Sequence, residues 1–376
     1  MKRVVVSGIG LESPVGTSLE SASTWLTNGR SALSSEDFVE KSGATRRILV
    51  ARSSHAAAAS RRTGVVAEDR SVSMAVSATR TALENANLLG IEFAEFRSAM
   101  SVSVGTGVGS VHALESAFTN WQAVDVGTYP LTVVRGLHNA IAAEIAIRHG
   151  IHGPARTFAM ACASSGVAVA NAVRDIRAGS CRAAVVCGAD APLTQPMIDA
   201  WLAMRVYASD RSPTDGEDTG CVPFSSHRTG LALAECAATL ILEDLDSVRA
   251  RGHEPIAEIL GCGESTDATH LTNPSRDGQI AAMKQALLDA RVTPDQIAYI
   301  NAHATGTVAG DVVEAESISH LFPGQPMVSS TKAIHGHSLG AAGTLEAIMV
   351  IATLKSRCVP PTLGLRSVDP KCSAIR

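Results

Sequence analysis

Three side chains in this sequence have types and surroundings suited to making and using a nucleophile: Cys162, His303 and His337. Cys162 stands between an apolar, strand-like run, Thr157 to Ala161, and the Ala- and Val-rich stretch Ser164 to Ala178, which reads as a helix. A thiol beside a helix N-terminus meets unpaired amides and the positive end of the helix dipole, which lowers its pKa and makes the sulfur nucleophilic near neutral pH. A cysteine in an apolar chain is, taken alone, more often a small buried residue, and others stand at 181, 187, 221, 236, 262, 358 and 372. The two histidines change that balance. His303 lies in Asn301-Ala-His-Ala-Thr-Gly-Thr307 and His337 in Lys332-Ala-Ile-His-Gly-His-Ser-Leu-Gly-Ala-Ala-Gly343, and each loop directly follows a predicted strand. Strand-end loops are where an α/β protein places its active site. Of the neighbouring pair His335 and His337, one is a candidate for a purely structural imidazole. Lys332, if buried in such a loop, needs a carboxylate partner, and Asp311 and Glu314 are the acids close behind the His303 loop. A Cys with two His also suggests zinc, but residues spread from 162 to 337 without C-x-x-C or H-x-x-x-H spacing make metal ligation the weaker reading.

Positioning three distant loops around one point requires a large layered scaffold. Short apolar strands alternate with amphipathic stretches from the start: a strand at Val4 to Ile9, a helix at Ser71 to Leu89, a strand at Ala99 to Val104 and a helix at Val134 to His149. Beyond the Cys162 turn, Ala183 to Cys187 and Leu231 to Leu242 read as strands. The charged stretch Glu243 to Glu254 reads as the join between residues 1–250, carrying the nucleophile, and 251–376, carrying both His loops. The second part continues with strands at Ile256 to Leu260, Ile297 to Ala302 and Met327 to Ser330, a helix over Gly278 to Ala290 and a long helix from Ser338. Buried strands between helices, with 45% hydrophobic residues but only 3% aromatics, describe an α/β protein packed by Ala, Val, Leu and Ile.

A net charge of −4 predicts no basic field that would track nucleic acid and disfavours such a role. Ser7, Gly8 and Glu12 interrupt the N-terminal apolar run before a signal-peptide core forms, and no other apolar run is expected to reach membrane-helix length. Cysteines without paired spacing point to reduced thiols in the cytoplasm.

With these motifs assembled, the sequence resembles the elongating β-ketoacyl synthases, condensing enzymes of the thiolase superfamily, over nearly its whole length. The resemblance rests on Ala161-Cys-Ala-Ser-Ser-Gly166, on the His303 loop with Asp311 and Glu314 behind it, and on Ser329-Ser-Thr-Lys332 leading into Gly336-His-Ser-Leu-Gly-Ala-Ala-Gly343; Val4 to Gly10 and Pro223 to Glu235 fit as well. It implies a five-layer αβαβα thiolase fold of two topologically similar halves, as a homodimer or a close heterodimer. It implies that Cys162 carries the acyl group while His303 and His337 donate to the thioester oxygen of a malonyl-type extender, the logic of an oxyanion hole. Lys332 is expected to pair with Glu314, Asp311 to support, Thr305 and Thr307 to contact a pantetheine arm, and Val108 to line the acyl pocket. The partner implied is an acyl carrier protein, with Arg61, Arg62 and Arg205 as docking candidates for its acidic surface. No metal or organic cofactor is implied, since the phosphopantetheine arm arrives with the substrate. Initiating synthases resemble this chain but carry Asn at the position of His337, so the pair of histidines favours elongation.

Two departures from the family pattern stand out. His227-Arg-Thr-Gly-Leu231 replaces the usual Asp-Arg-Asp-Gly-Phe, and the family's Gly-Phe-Gly-Gly-Thr-Asn strand, whose Phe gates the acyl pocket, does not occur among the 376 residues. The second departure keeps open a different reading, a non-catalytic subunit of the chain-length-factor kind, while retention of Cys162 argues for an enzyme.

Overall fold

The computed structural model describes residues 2–54, 68–122, 130–208, 210 and 220–375. Strand β1 (Val4–Glu12) opens the chain, and α1 (Leu19–Thr27) begins at a Ser18/Ser21 capping box that satisfies two otherwise unpaired amides. The hairpin β2 (Ser34–Val39) and β3 (Thr45–Ala51) precedes α2 (Arg70–Asn85), which the Asp69 carboxylate caps. Then come α3 (Ala94–Ser98), β4 (Ser101–Gly105), α4 (Val111–Gln122), α5 (Thr132–Gly136) and α6 (Ala140–His149). Next are β5 (Ala155–Phe158), α7 (Ser164–Ala178), β6 (Ala183–Asp190) and α8 (Gln195–Ala203), followed by β7 (Leu233–Ala234), β8 (Cys236–Asp244) and α9 (Leu245–Ala250). The remainder is β9 (Ala257–Ile259), α10 (Arg276–Ala290), β10 (Tyr299–Asn301), α11 (Val308–Leu321), β11 (Met327–Ser329), α12 (Lys332–His335) and α13 (Ala342–Ser356).

The large sheet runs β5-β4-β6-β8-β1-β9, with β4 parallel to β5 and β6 and with β8 antiparallel to β6 and β1. Its central strands are buried on both faces, which is why they read as unbroken apolar runs and not as alternating ones. On one face α2 and α6 pack Ala78, Ala82, Leu83 and Ile145 against Val102, Val104 and Val185. On the other, α7 and α13 pack Ala172, Ile176, Leu345 and Ile348 against Val6, Ile9 and Leu240. Parallel strands β10 and β11 form a second sheet, backed by Ala315 and Ile318 of α11 and Met283 of α10. Helix, sheet, helix, sheet, helix is the five-layer thiolase-like arrangement that the resemblance implies.

The middle layer decides where the site lies. α7 begins just after Cys162 and α13 just after His337, and their first turns touch: a Cβ at Gly343 would come within 2.7 Å of the Gly166 amide nitrogen. The glycine at 343 lets the two helix N-termini meet, and the loops that precede them are brought face to face.

Several elements differ from the sequence expectation. The helix expected over Val134 to His149 is two helices, because Leu137 is extended (ψ 145°). Leu231 to Leu242 is divided between β7, which belongs to the sheet β2-β3-β7, and β8 in the large sheet. The charged stretch at 243–254 comprises the end of β8 and then α9, capped by Asp244, elements that its polar residues did not announce. The chain then passes into β9, which pairs antiparallel with β1. Residues Leu339–Ser356 do have the length and mean hydropathy (1.3) of a membrane-crossing helix, contrary to the expectation that no such run exists, but 61% of the run is buried inside the protein. The apolar side chains Leu345, Ile348 and Met349 are fully buried there, each contributing roughly 1.5–3 kcal/mol by leaving water.

Candidate active site

Cys162 is held at a sharp turn between β5 and α7. The residue before it, Ala161, has φ +49°, a left-handed conformation that costs a non-glycine residue about 1–3 kcal/mol and persists only where neighbours enforce it. Ser164 does the enforcing: its hydroxyl donates to the Ala161 carbonyl oxygen (2.6 Å) and accepts from the Met160 amide (2.8 Å). The strand predicted to run to Ala161 therefore stops at Phe158.

His337 is fixed through its backbone, donating to the Ala232 carbonyl (2.7 Å) and accepting from the Ala234 amide (3.0 Å). Its Nε2 lies 3.0 Å from Cys162 Sγ, and its ring meets that of His303 edge-on at 5.3 Å between centroids. Donor atoms of Cys162, His303 and His337 all lie within 4.8 Å of one another. That spacing could collect a metal, but the Lys332 ammonium 3.3 Å from His303 Nδ1 repels a further cation at the same place. His335 bonds instead to Thr331 Oγ1 and the Gly336 carbonyl, a structural imidazole.

Lys332 is wholly buried and pairs with Glu346 of α13, not with Glu314 as expected. Glu314 accepts from the backbone amides of His303 and Ala304, both at 2.7 Å, and so shapes the loop that presents His303. Asp311 accepts from the amides of Phe224 (2.8 Å) and Gly306 (3.1 Å), with Arg228 at 3.5 Å and Asp369 on the other side of that guanidinium. Thr305 and Thr307 hydroxyls lie 3.1 Å apart in the same loop.

The charges set the protonation states. An ammonium cannot accept, so the Lys332 contact makes His303 Nδ1 the acceptor and leaves the ring proton on Nε2. The Lys332 charge, then burial, holds the His303 imidazolium form off to well below the ordinary histidine range, although part of the residue is solvent-exposed. Burial, then His303 and Lys332, does the same to His337. Both rings are thus neutral donors near pH 7. Burial pushes the Cys162 thiol up to about 11 despite the opposing pull of Lys332. Burial thus opposes the thiolate that the helix end is expected to favour, and favours the thiol. Glu314 is raised to about 7, mainly by burial.

Residues 1–247 match the description "Beta-ketoacyl synthase, N-terminal domain" and residues 256–366 "Beta-ketoacyl synthase, C-terminal domain". This chain belongs to the β-ketoacyl synthase family. It is similar to "Nodulation protein E" of Rhizobium sp. (strain N33), 36% identical over 99% of this chain and 90% of that one. It is similar also to "3-oxoacyl-[acyl-carrier-protein] synthase 2" of Vibrio cholerae, 34% identical over 97% and 89%. Among solved structures, a β-ketoacyl synthase from Burkholderia phymatum STM815 superposes with a TM-score of 0.86 at 30% identity, covering 100% of this chain and 91% of that one.

Within this synthase fold, sequence reasoning missed Glu346, Ser164 and Asp190. Glu346 carried a signal, a single acid in the otherwise apolar run Ala342 to Ala352. Asp190 carried a weaker one, an acid ending a wholly buried strand. Val108 is partly buried and packs against the apolar cluster that includes Leu193, Ile198 and Leu339. Arg205 is exposed beside Arg46 and Arg47 on a groove of about 590 Å³ that Thr229 also lines. Arg61 and Arg62 lie outside the described residues.

Proposed function

We propose that this chain is an elongating β-ketoacyl synthase in fatty-acid or polyketide-like biosynthesis, with Cys162, His303 and His337 as its reacting group. The observation that carries the reading is the 3.0 Å contact of Cys162 Sγ with His337 Nε2, beside a His303 whose Nε2 proton is assigned by Lys332. Cys162 attacks an acyl thioester, the bond to the carrier sulfur breaks, and the thiol proton goes to the departing carrier thiolate directly or through water, so that both imidazoles keep their Nε2 protons. The acylated sulfur no longer has a proton to give, so a hydrogen bond from His337 toward the thioester uses its own Nε2–H.

A malonyl-type thioester then seats its carbonyl oxygen against the two Nε2 donors. Loss of carbon dioxide breaks the bond between the carboxylate and the α-carbon, and the electron pair becomes an enolate whose negative oxygen the two donors stabilise. The α-carbon attacks the acyl group on Cys162, the sulfur leaves as thiolate, and it regains one proton from water. Glu314 and Asp311 hold the His303 loop, Glu346 keeps Lys332 charged, Thr305 and Thr307 meet the pantetheine arm, and Val108 lines the acyl pocket.

The carrier protein supplies the phosphopantetheine, so no cofactor of the enzyme's own takes part. Arg205, with Arg46 and Arg47, supports docking of an acidic carrier. A second synthase-like subunit, identical or related, fits the outer edge of β5, where Met160 is 55% exposed, and the exposed Val133 and Ile147 on α5 and α6. Residues 1–250 and 251–376 form the two halves, and eight free thiols suit the cytoplasm. An intact thiol–imidazole contact disfavours the chain-length-factor reading.

Incubation with an acyl-carrier and a malonyl-carrier thioester should give carbon dioxide, a β-ketoacyl product and an acyl adduct on Cys162 by peptide mass spectrometry. Absence of both adduct and product from folded protein would overturn the proposal.

A further inference from the structure

Asp190, the last residue of β6, is completely buried and lies outside the reacting group, yet it joins two of the loops around it. Its Oδ1 accepts from Thr106 Oγ1 (2.7 Å) and the Val108 amide (3.0 Å). Its Oδ2 accepts from the Gly107 amide (2.8 Å) and the Gly340 amide (2.7 Å). Thr106 Oγ1 in turn accepts from the Gly109 amide (2.9 Å), which closes the segment 106–109 around the carboxylate as an anion-binding nest. Four donors fill the acceptor capacity of one carboxylate, three from the loop after β4 and one from the loop that carries His337. The two loops are in backbone contact there: a Cβ on Gly340 would lie 2.3 Å from the Gly107 nitrogen. Leu339, next to Gly340, packs in the same apolar cluster as Val108.

We propose that Asp190 is a positioning residue that couples the acyl-pocket wall at Val108 to the His337 loop, and thereby sets which acyl chain lengths are condensed. The inference rests on the condensing activity proposed above. A chain that presses on Val108 cannot displace that backbone without stretching the bonds that end on Gly340, three residues beyond His337. An acyl group of unsuitable length is therefore read as a misplaced imidazole, and not only as a poor fit.

Asp190→Asn tests this because the carboxamide cannot receive all four donors. With its NH2 toward Gly107 and Gly340 it would face two amide donors. Turned the other way it faces only the Val108 amide, since the Thr106 hydroxyl can rotate to accept. The amide therefore keeps Gly340 and releases Val108. Condensation is to be measured with short, medium and long saturated acyl-carrier thioesters, with melting temperatures to establish folding. The ratio of kcat/KM between the longest and the shortest donors should shift about tenfold, the size of one lost buried hydrogen bond. Should Asp190→Asn not fold, Thr106→Val removes the hydroxyl's bond to Asp190 and its bond from the Gly109 amide with the carboxylate intact, and should shift the ratio in the same direction. Equal loss at every chain length, or an unchanged ratio, in a folded variant overturns the inference. Absence of condensation in the unaltered protein refutes the proposed function instead.

Discussion

Replacing Lys332 by Met tests how the site is charged. Lys332 is wholly buried between Glu346 and His303 Nδ1, so Lys332→Met leaves a carboxylate in α13 without its cation. Breaking a buried pair from one side costs about 3–5 kcal/mol, whereas replacing both partners by apolar groups is often neutral. Lys332→Met should therefore unfold at markedly lower urea, and Lys332→Met/Glu346→Leu should recover most of that loss. The chemistry should not recover with it. At 3.3 Å and an effective dielectric of about 20, an ammonium and an imidazolium repel by about 5 kcal/mol, less where solvent reaches the exposed His303. Without that repulsion the His303 pKa climbs back toward the ordinary value of about 6.5, and no donor holds its proton on Nε2. Carbon dioxide release from a malonyl-carrier thioester, measured without an acyl donor, should fall by roughly 10²-fold, the loss expected for one oxyanion donor. It should also acquire an acid titration at higher pH than in the unaltered protein, since burial alone then holds the imidazolium form off. A double variant that is stable, releases carbon dioxide at the original rate and shows the same pH profile would refute the assignment of Lys332 as the group that orients His303.

Glu314, raised to about 7, should impose an acid limb on activity: as pH falls through about 7 the carboxyl gains a proton that opposes the His303 and Ala304 amides. Glu314→Gln should lower the rate and remove that limb in a pH–rate profile. The buried thiols of Cys187 and Cys221 stay protonated up to about 12, while unfolded thiols titrate near about 8.5. Above that lower value the unfolded chain binds fewer protons, so stability should decline by about 1.4 kcal/mol per pH unit for each thiol, read as a falling urea midpoint between about pH 8 and 10. Arg205→Ala combined with Arg46→Ala should raise KM for carrier-bound donors with kcat retained, and the difference should shrink in high salt.

The residues themselves disclosed much of this protein. Apolar runs at β4, β6 and β8 announced strands buried on both faces, and the helix over Ser164 to Ala178 was legible to the residue because Ala and Val periodicity continues to Gly179 at its C-cap. That Cys162, His303 and His337 come together was legible too, since a Cys at a strand–helix turn and His in Gly-rich strand-end loops are local signals. Tertiary structure alone decided the partners. That Lys332 meets Glu346 and not Glu314 follows from the packing of α13 beneath its loop, and nothing in the spacing of 314, 332 and 346 distinguishes the two acids. The thiol's elevated pKa was equally out of reach, because desolvation depends on what surrounds the sulfur and not on the helix that follows it. Asp190 is the extreme case: its four donors come from residues 106, 107, 108 and 340, which only the folded chain brings together. Sequence periodicity determines which face of an element is apolar; the choice of partner for a buried charge is made by geometry across layers, where the penalty for leaving it unpaired is paid.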